Sequence, residues 1–376
     1  MKFFISFISI NKQQKGSMEM KILLFVFILL VYIGITFFIG FGLMKTLIAF
    51  GIYRWPIVYW SILTLFSGSI FLSRIKNMTI FQVLGNYWMF IFQYGFLFTF
   101  VGVIIYYLTP LKNLRIIGGT GIGIFFVLLI AGLYFAYQPT SRIIEMEVDK
   151  KADDLKIIVA SDFHLGVLST KNHLERFVEL ANKENPDLVL LVGDIIDDDP
   201  KWFIEQNMDE TLAKLKTTYG VYGVLGNHEY YGKKTEPFLE VMKKANVTML
   251  LDETILINDA FYLTGQEDLT NKNRLPLEAL KPLDETKPWI IMNHTPTQLE
   301  VPTQLQADLH LSGHTHKGQL WPNNYLTNRL FEVDYGYLKK ETTHFLVSSG
   351  YGFWGPPMRI GSQAELWVVH LNFTHK

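Results

Sequence analysis

Five short polar clusters in the second half of the chain contain residues that commonly bind divalent metal ions. Four of the clusters follow a continuous apolar run, and the fifth follows an alternating one. Their metal-binding side chains are Asp162, His164, Asp194, Asn227, His294, His314 and His316. Two divalent ions held roughly 3.5–4 Å apart lower the pKa of bound water and stabilise the attacking and leaving oxygens at phosphorus. The clusters therefore predict a two-metal site that hydrolyses phosphate esters.

The spacing within the clusters suggests how the ligands converge. Asp162 and His164 are two residues apart, as are His314 and His316, so in an extended segment both side chains of each pair point the same way. Asp194 follows a buried apolar run and is expected to bridge the two ions from the rim of a sheet. The chain has no cysteine, so the ligands are oxygen and nitrogen atoms, which suit Mn, Fe or Zn and also admit Mg. We expect two divalent ions, with Mn as the first choice.

Each cluster also has an ordinary structural interpretation when it is taken alone. Asp162 and His164 are common in turns, residues 226–229 could form a turn before a helix, and His314 and His316 could be surface histidines. The occurrence of all five clusters in series, each at the end of a predicted strand, favours the metal site.

Several polar and aromatic residues are expected to lie outside the metal site. Asp197, Asp198 and Asp199 are predicted to form a solvated turn, with Asp197 as a supporting partner of the site. Glu229 could orient its neighbours or simply begin a helix. The remaining histidines are expected to be structural or exposed, and four aromatic residues are expected to pack rather than to line a substrate groove. These two sets are His173, His310, His344, His370 and His375, and Trp321, Tyr351, Phe353 and Trp354.

Strands alternate with helices in the second half of the chain. The apolar patterns predict strands at residues 155–160, 187–192, 221–225, 289–292, 343–348 and 364–371, and helices at 171–183, 201–217 and 234–245. Residues 247–263 have the pattern of a hairpin-like meander. The alternation indicates a layered α/β domain at residues 155–373, preceded by a linker and an entering strand at residues 138–154.

The first part of the chain is strongly apolar and contains almost no acidic residue. Only Glu19 of the 35 Asp and Glu residues lies before residue 142, whereas 10 of the 34 Lys and Arg residues do. A hydrocarbon core of roughly 30 Å is crossed by about 20 apolar residues, and four runs approach or exceed that length, at residues 22–44, 56–72, 80–108 and 116–137. A buried helical core in a soluble protein is the alternative. Four such runs in series favour a multi-pass transmembrane region at residues 22–137.

The basic residues between these runs predict how the chain crosses the cell membrane. If the N-terminus is inside, nine Lys and Arg residues face the cytoplasm and four face outward. The inner set is Lys2, Lys12, Lys15, Lys21, Arg74, Lys76, Arg142, Lys150 and Lys151. Four crossings then favour a cytoplasmic C-terminal domain. Residues 1–21 are interpreted as an uncleaved leader in which Met18 or Met20 could be the true start, and a start at Met18 weakens this preference.

The five clusters resemble the signature of the calcineurin-like metallophosphoesterases, which is Asp-x-His, Gly-Asp, Gly-Asn-His-Glu, a lone His and Gly-His-x-His. The resemblance covers roughly residues 155–371 and is closest to the membrane-tethered branch. It implies a four-layer sandwich of two facing sheets flanked by helices. It also implies that Asp162, His164, Asp194 and His316 hold one metal, and that Asp194, Asn227, His294 and His314 hold the other.

The resemblance assigns roles to three further residues. His228 is implied to be the proton donor to the leaving oxygen. Lys317 stands where many relatives have glycine, adds a positive charge beside the site, and is expected to bind substrate. Arg359, in a glycine-rich loop near the end of the chain, is expected to contact a phosphate oxygen.

These features predict an integral-membrane phosphohydrolase that cleaves phosphomonoester, phosphodiester or pyrophosphate bonds. The expected reaction is in-line attack on phosphorus by water or hydroxide held between the two metals. Anchoring in the bilayer suggests a lipid-linked or envelope substrate, and no specific nucleic-acid binding is expected. A catalytically silent membrane scaffold is the alternative, but it predicts a broken ligand set. A transporter is disfavoured because the apolar runs contain no acidic residue or histidine that would mark an ion path.

Overall fold

The computed structural model describes residues 12–73 and 78–375 of the chain. The chain divides into two compact units, Met1–Val127 and Leu128–Lys376. Residues 1–11 of the predicted leader, which include Lys2, and Arg74 and Lys76 of the charge pattern lie outside the described residues.

Apolar helices form the described part of the first unit. They are α1 (Lys12–Ala49), α2 (Pro56–Leu72), α3 (Thr79–Leu108) and the first part of α4 (Leu114–Tyr137). Hydrogen bonds of Tyr32 connect α1, α2 and α3, since its hydroxyl donates to the carbonyl of Ser67 at 2.6 Å and accepts from the Trp88 indole at 2.8 Å. The helix α1 begins inside the segment that the sequence assigned to the leader.

Three helices of the described chain are long and apolar enough to cross a membrane, namely Met20–Ala49, Thr79–Leu108 and Leu114–Tyr137. The apolar helix α2 has 17 residues and falls just short of that length. The four predicted runs therefore coincide with four helices, while the number of crossings stays a prediction.

Two mixed six-stranded sheets form the second unit. The first sheet has the strand order β1-β12-β2-β3-β4-β5, and the second has the order β10-β11-β9-β8-β7-β6. The strands are β1 (Thr140–Lys151), β2 (Leu155–Ala160), β3 (Leu188–Val192), β4 (Val221–Val224), β5 (Val247–Met249), β6 (Glu253–Ile257), β7 (Phe261–Gln266), β8 (Trp289–Asn293), β9 (Leu309–Ser312), β10 (Gly336–Lys340), β11 (Thr343–Val347) and β12 (Glu365–His375).

Short helices flank the two sheets. They are α5 (Lys171–Lys183), α6 (Lys201–Glu205), α7 (Met208–Leu212), α8 (Asn227–Tyr231), α9 (Thr235–Lys244), α10 (Glu300–Gln304) and α11 (Asn324–Leu330), with 3-10 helices at Leu277–Leu280 and His316–Gly318. The apolar face of α5, which includes Leu174 and Phe177, packs on the first sheet. Apolar side chains such as Leu190 and Ile290 fill the space between the sheets. The predicted architecture of two facing sheets flanked by helices is confirmed.

The structure corrects several boundaries of the sequence analysis. Residues 201–217 form two short helices rather than one, because Asn207 adopts a left-handed conformation (φ 50°) between them. The segment predicted as a single meander is divided between the sheets, since β5 pairs in parallel with β4 whereas β6 and β7 form an antiparallel hairpin. The entering strand β1 is an edge strand of the first sheet and pairs in parallel with β12. The strand β10 was not predicted, and β9 was indicated only by the alternating run before His314.

The topology places the five polar clusters at one end of the sandwich. The strands β2, β3 and β4 run parallel in the first sheet, and β8 and β9 run parallel in the second. One cluster follows the carboxyl end of each of these strands. Because carboxyl ends of parallel strands share one edge, the two sheets deliver all five loops to the same rim.

Candidate metal centre

Four side chains from three loops form the first group of potential ligands. The Nε2 atoms of His164 and His316 lie 3.0 Å apart. Oδ1 of Asp162 lies 3.4 Å from Nε2 of His316 and 4.0 Å from Nε2 of His164. Oδ2 of Asp194 lies 3.8 Å from Nε2 of His164. The group contains the four residues that the resemblance assigns to one metal.

The second group lies on the other side of Asp194. Oδ2 of Asp194 is 3.1 Å from Nε2 of His294. Nδ1 of His314 is 2.8 Å from the side-chain oxygen of Asn227, and the rings of His294 and His314 are 5.3 Å apart at an angle of 82°. One carboxylate oxygen of Asp194 therefore faces both groups, as a bridging ligand must.

The protonation of the histidines matches their proposed use as ligands. Burial holds the pKa of His164 and of His316 well below the ordinary value, and the charge of Arg359 lowers that of His316 further. Burial also lowers the pKa of His314. Neutral imidazole is the form that binds a metal. These three rings are therefore ready to coordinate without releasing a proton.

His294 differs from the other histidines because negative charge surrounds it. Burial alone would lower its pKa, but the charge of Asp194 and its hydrogen bond outweigh burial, and the pKa lies well above the ordinary value. Its Nδ1 lies 2.8 Å from the carbonyl of Val192, a contact that directs Nε2 into the site. The charges of Asp194, Asp162 and Asp268 all raise this pKa, and the same negative charge would favour a bound cation.

Left-handed backbone conformations turn the ligands toward one another. Of the seven predicted ligands, five have φ between 44° and 72°, namely Asp162, His164, Asp194, His314 and His316. The expectation that Asp162 and His164, and likewise His314 and His316, lie on extended segments is wrong. The side chains converge because the loops are tightly turned. Such conformations cost about 1–3 kcal/mol each and persist only where the surrounding structure offsets that cost.

Two glycines allow the loops to approach closely. A Cβ atom on Gly226 would lie 2.2 Å from Oδ1 of Asp194, and one on Gly313 would lie 2.3 Å from Oδ2 of Asp162. Neither distance leaves room for a side chain. The glycines that precede Asn227 and His314 are therefore required by the packing of the ligand loops.

Glu229 connects two of the ligand loops. Its buried carboxylate accepts hydrogen bonds from the backbone N–H groups of Gly226, Asp194 and Ile196 at 2.7, 3.1 and 3.0 Å. Burial, and then the charge of Asp194, raise its pKa to about 7. Of the two interpretations left open by the sequence, the orientation of neighbouring residues matches these contacts.

His228 lies beside the ligands and forms a pair with an aspartate. Its ring is 4.7 Å from the ring of His164, and its Nδ1 is 2.7 Å from Oδ1 of Asp198. Burial opposes protonation, but the hydrogen bond to Asp198 and the charges of Asp194 and Asp197 outweigh it and raise the pKa of His228 to about 9. The sequence favoured Asp197 as the supporting residue, yet its Oδ1 lies at 3.6 Å. Three aspartates in series contain no signal that distinguishes Asp198.

Arg359 and Lys317 have partners within the protein. Arg359 is fully buried, and its Nη2 donates to the carbonyls of Ser349, Gly350 and Gly352 at 2.7, 3.1 and 2.7 Å. The same nitrogen lies 3.3 Å from Nδ1 of His316. Nζ of Lys317 lies 4.3 Å above the ring of Tyr335. The phosphate contacts of both residues stay predictions, and the geometry of Arg359 favours a role in holding residues 349–352 against His316.

The residues expected outside the site fall into two classes. His173, His310 and His344 are buried, His375 is exposed, and none of the five remaining histidines belongs to a potential metal-binding group among the described residues. Tyr351 and Phe353 are buried, as expected for packing. Trp321 and Trp354 are 43% and 47% exposed, so packing alone does not account for them.

The donor set fits a pair of divalent ions. Two ligand atoms in adjacent positions of an octahedral ion, each at about 2.1 Å, lie about 3 Å apart. The 3.0 Å between the ring nitrogens of His164 and His316 and the 3.1 Å between Asp194 and His294 match this separation. The two groups, without sulfur, could hold Mn, Fe, Zn or Mg.

Comparison with known proteins finds a phosphoesterase family and metallophosphoesterases as relatives. Residues 155–318 match the family described as calcineurin-like phosphoesterase. An uncharacterised metallophosphoesterase of Aquifex aeolicus is 35% identical over 240 residues, which cover 60% of this chain and 88% of that protein. An uncharacterised metallophosphoesterase of Campylobacter jejuni is 33% identical over 239 residues, which cover 62% of this chain and 63% of that protein.

A bovine protein is similar over the same region. It is named as a transmembrane protein with a metallophosphoesterase domain and is 32% identical over 265 residues, which cover 64% of this chain and 59% of that protein. The chain thus spans less than two thirds of the length of the C. jejuni and bovine proteins.

Proposed function

This chain belongs to the calcineurin-like metallophosphoesterase family, and from this membership we propose that it is a membrane-bound, metal-dependent hydrolase of phosphate esters. Asp162, His164, Asp194 and His316 would hold one ion, and Asp194, Asn227, His294 and His314 the other. The observation that carries the proposal is the position of Asp194, whose Oδ2 lies 3.8 Å from Nε2 of His164 and 3.1 Å from Nε2 of His294.

The protein residues divide the remaining tasks. Two divalent ions supply a more acidic water and neutralise negative charge at phosphorus when they are bound. His228 donates a proton to the leaving oxygen, and Asp198 accepts a hydrogen bond from Nδ1 and favours the protonated ring. Glu229 holds the loops of Asp194 and Asn227 in register through three backbone N–H groups.

A membrane location supports a lipid-linked substrate. Three helices are long and apolar enough to cross a bilayer, and the bovine relative carries the word transmembrane in its name. A site anchored by apolar helices meets lipid-borne esters at high local concentration. We propose a lipid-linked phosphomonoester, phosphodiester or pyrophosphate as the substrate.

The activity is tested with the full chain purified in detergent. We expect turnover of a generic aryl phosphodiester in the presence of Mn, loss of turnover after chelation, and recovery when Mn is restored. Metal analysis of the active protein should find about two ions per chain, since each half of the donor set completes one ion. Folded, metal-loaded protein without turnover of any phosphate ester would instead favour a silent membrane scaffold.

The membrane orientation is tested with single cysteines, because the natural chain has none. Four crossings with the N-terminus inside predict that a membrane-impermeant maleimide labels Lys112→Cys, between α3 and α4, in intact spheroplasts. Leu283→Cys lies in the second unit, Leu128–Lys376, which we call the catalytic unit because it contains the candidate metal centre. It should be labelled only after permeabilisation. The opposite pattern would mean that the catalytic unit lies outside, either because α2 does not cross or because the N-terminus is outside.

A further inference from the structure

The helix α11 exposes apolar side chains beside the metal centre. None of its seven residues, all of which the structure describes, is buried. Tyr325, Leu326 and Leu330 are 68%, 61% and 67% exposed, and Trp321 precedes them. A soluble surface seldom leaves so many large apolar side chains together in water. We call Trp321, Tyr325, Leu326 and Leu330 the α11 surface.

The α11 surface is connected directly to the ligand loop. A Cβ atom on Gly318 would lie 2.3 Å from the backbone nitrogen of Asn324, so the start of α11 packs against the residues that follow His316. At the other end of the helix, the ring of Phe331 lies 6.0 Å from the ring of His314. Whatever covers the α11 surface is therefore held next to the metal ligands.

The same surface is continuous with the last turns of α4. The backbone N–H of Trp321 donates to the carbonyl of Ile360 at 2.8 Å, and that of Arg359 donates to the carbonyl of Gly132 at 3.0 Å. A Cβ atom on Gly132 would lie 3.0 Å from the side chain of Met358 and 3.1 Å from that of Ile360, so both residues pack closely against α4. Only two short steps thus separate α11 from a helix that is apolar enough to cross a membrane.

The exposed residues on α4 have the same character as the α11 surface. Ile130 and Tyr134 are 68% and 60% exposed in the part of α4 that belongs to the catalytic unit. Trp and Tyr are enriched where a bilayer meets water, and the long side chain of Arg reaches from apolar surface to headgroups. Arg329 on α11 adds such a positive charge among the apolar residues.

We infer that the α11 surface lies in the headgroup and acyl boundary of the bilayer and presents the metal centre to lipids in the same leaflet. The inference rests on the proposed function, because it names the bilayer itself as the source of the ester. Trp354 is a further exposed aromatic residue, and it lies beside the proposed proton donor His228. Its ring is 47% exposed and lies 6.2 Å from the ring of His228, and Gln319 holds its backbone on both sides with hydrogen bonds of 2.9 Å.

Membrane depth is measured on the full chain in vesicles of phosphatidylethanolamine and phosphatidylglycerol. A nitroxide is attached to Leu326→Cys or Leu330→Cys. Leu283→Cys is the control, because Leu283 is also an exposed leucine but precedes the amino end of β8, whereas the metal centre lies at the carboxyl ends of the strands. We expect oxygen, which partitions into lipid, to collide more often than a water-soluble nickel complex at residues 326 and 330, and less often at residue 283. Equal water accessibility at all three residues overturns the inference. Labels shielded from both reagents also overturn it, because protein would then cover the surface.

The depth measurement is repeated in an Asp194→Ala background. Membrane seating needs no turnover, so the same collision pattern is expected there. A failed activity test with an intact collision pattern would therefore reject the proposed function and keep the docking surface. The reverse result would keep the function and reject the surface.

The functional consequence is tested with Leu326→Ser combined with Leu330→Ser. Loss of two apolar contacts with lipid is expected to lower turnover of a phosphodiester lipid in vesicles by about tenfold or more. Turnover of a soluble aryl phosphodiester in detergent should stay unchanged, and Leu283→Ser should alter neither activity. Equal losses on both substrates would contradict membrane docking and indicate damage to the site.

Discussion

Replacement of Asp194 by alanine is expected to lower phosphodiester turnover at least about 10³-fold, since the loss of a bridging ligand removes several kcal/mol of transition-state stabilisation. Asp194 is buried, and its Oδ2 lies 3.8 Å from Nε2 of His164 and 3.1 Å from Nε2 of His294. These distances are shorter than the 4.0 and 3.9 Å that separate Oδ1 of Asp162 from the same two atoms. Metal analysis of the purified variant should find fewer than two ions per chain. Unaltered activity in this variant would refute the assignment of the bridge.

A conservative variant separates metal binding from folding. Oδ1 of Asp194 also accepts a hydrogen bond from the backbone N–H of His228 at 2.9 Å. Asp194→Asn keeps the volume and can keep this hydrogen bond, but its neutral amide is a poor bridge, so we expect a loss similar to that of alanine with a smaller change in thermal stability. Asp149→Ala is the matched control, because Asp149 is 85% exposed and pairs with His375. Its activity should equal that of the natural chain.

Replacement of His228 by glutamine is expected to lower kcat about 10²- to 10⁴-fold, which is the usual contribution of a general acid. Its ring is close enough to His164 and Asp194 to form a potential metal-binding group with them, but the proposal assigns His228 to proton donation, so the metal content should not change. The loss should be largest for alkyl or phenyl esters, whose leaving oxygen needs a proton, and smaller for a nitrophenyl ester. Equal losses for both kinds of leaving group would argue against proton donation by His228.

Proton donation by His228 also predicts a dependence of activity on pH that its partner Asp198 should control. A general acid must be protonated, so activity on poor leaving groups is lost as the pH rises through its pKa. The hydrogen bond to Asp198 and the nearby aspartates raise that pKa to about 9 despite burial. Asp198→Asn removes one charge and should move the alkaline limb to lower pH by about one unit or more. Asp197→Asn should cause a smaller shift, because its oxygen is 3.6 Å from Nδ1 rather than 2.7 Å.

The pH comparison is made between variants under one metal condition. Bound cations lower the pKa of His228 in the natural chain and in both variants, so the difference between their profiles isolates the aspartates. Identical alkaline limbs in the natural chain and the Asp198→Asn variant would mean that another group donates the proton.

The fold was predictable where local patterns carried enough information. The apolar runs of β2, β3 and β8 and the helical spacing of α5 predicted these elements within a residue or two. The split at Asn207 was not predictable, because a single left-handed residue leaves the helical pattern of its neighbours unchanged. The assignment of β5 and β6 to different sheets depends on which strands lie beside them, and adjacent residues do not encode that choice.

The site shows the same division between residue type and position. Order and chemical type identified Asp162, Asp194 and His294 as candidate ligands. Order and type could not show that the ligands converge through left-handed turns. They also could not show that Arg359 is buried and donates hydrogen bonds to three backbone carbonyls. Both facts depend on backbone that is distant in sequence.

The sequence by itself therefore determined the chemical character of this protein: a sulfur-free set of oxygen and nitrogen donors behind a carboxylate-poor apolar region. Residue type sets ligand chemistry and hydropathy, and both are local properties. Only the tertiary structure decided that Asp198 rather than Asp197 supports His228, that Glu229 joins two ligand loops, and that the apolar face of α11 lies beside His316. The choice of Asp198 is a difference of about an ångström, and all three depend on groups that the fold brings together from distant parts of the chain, which no local pattern can specify.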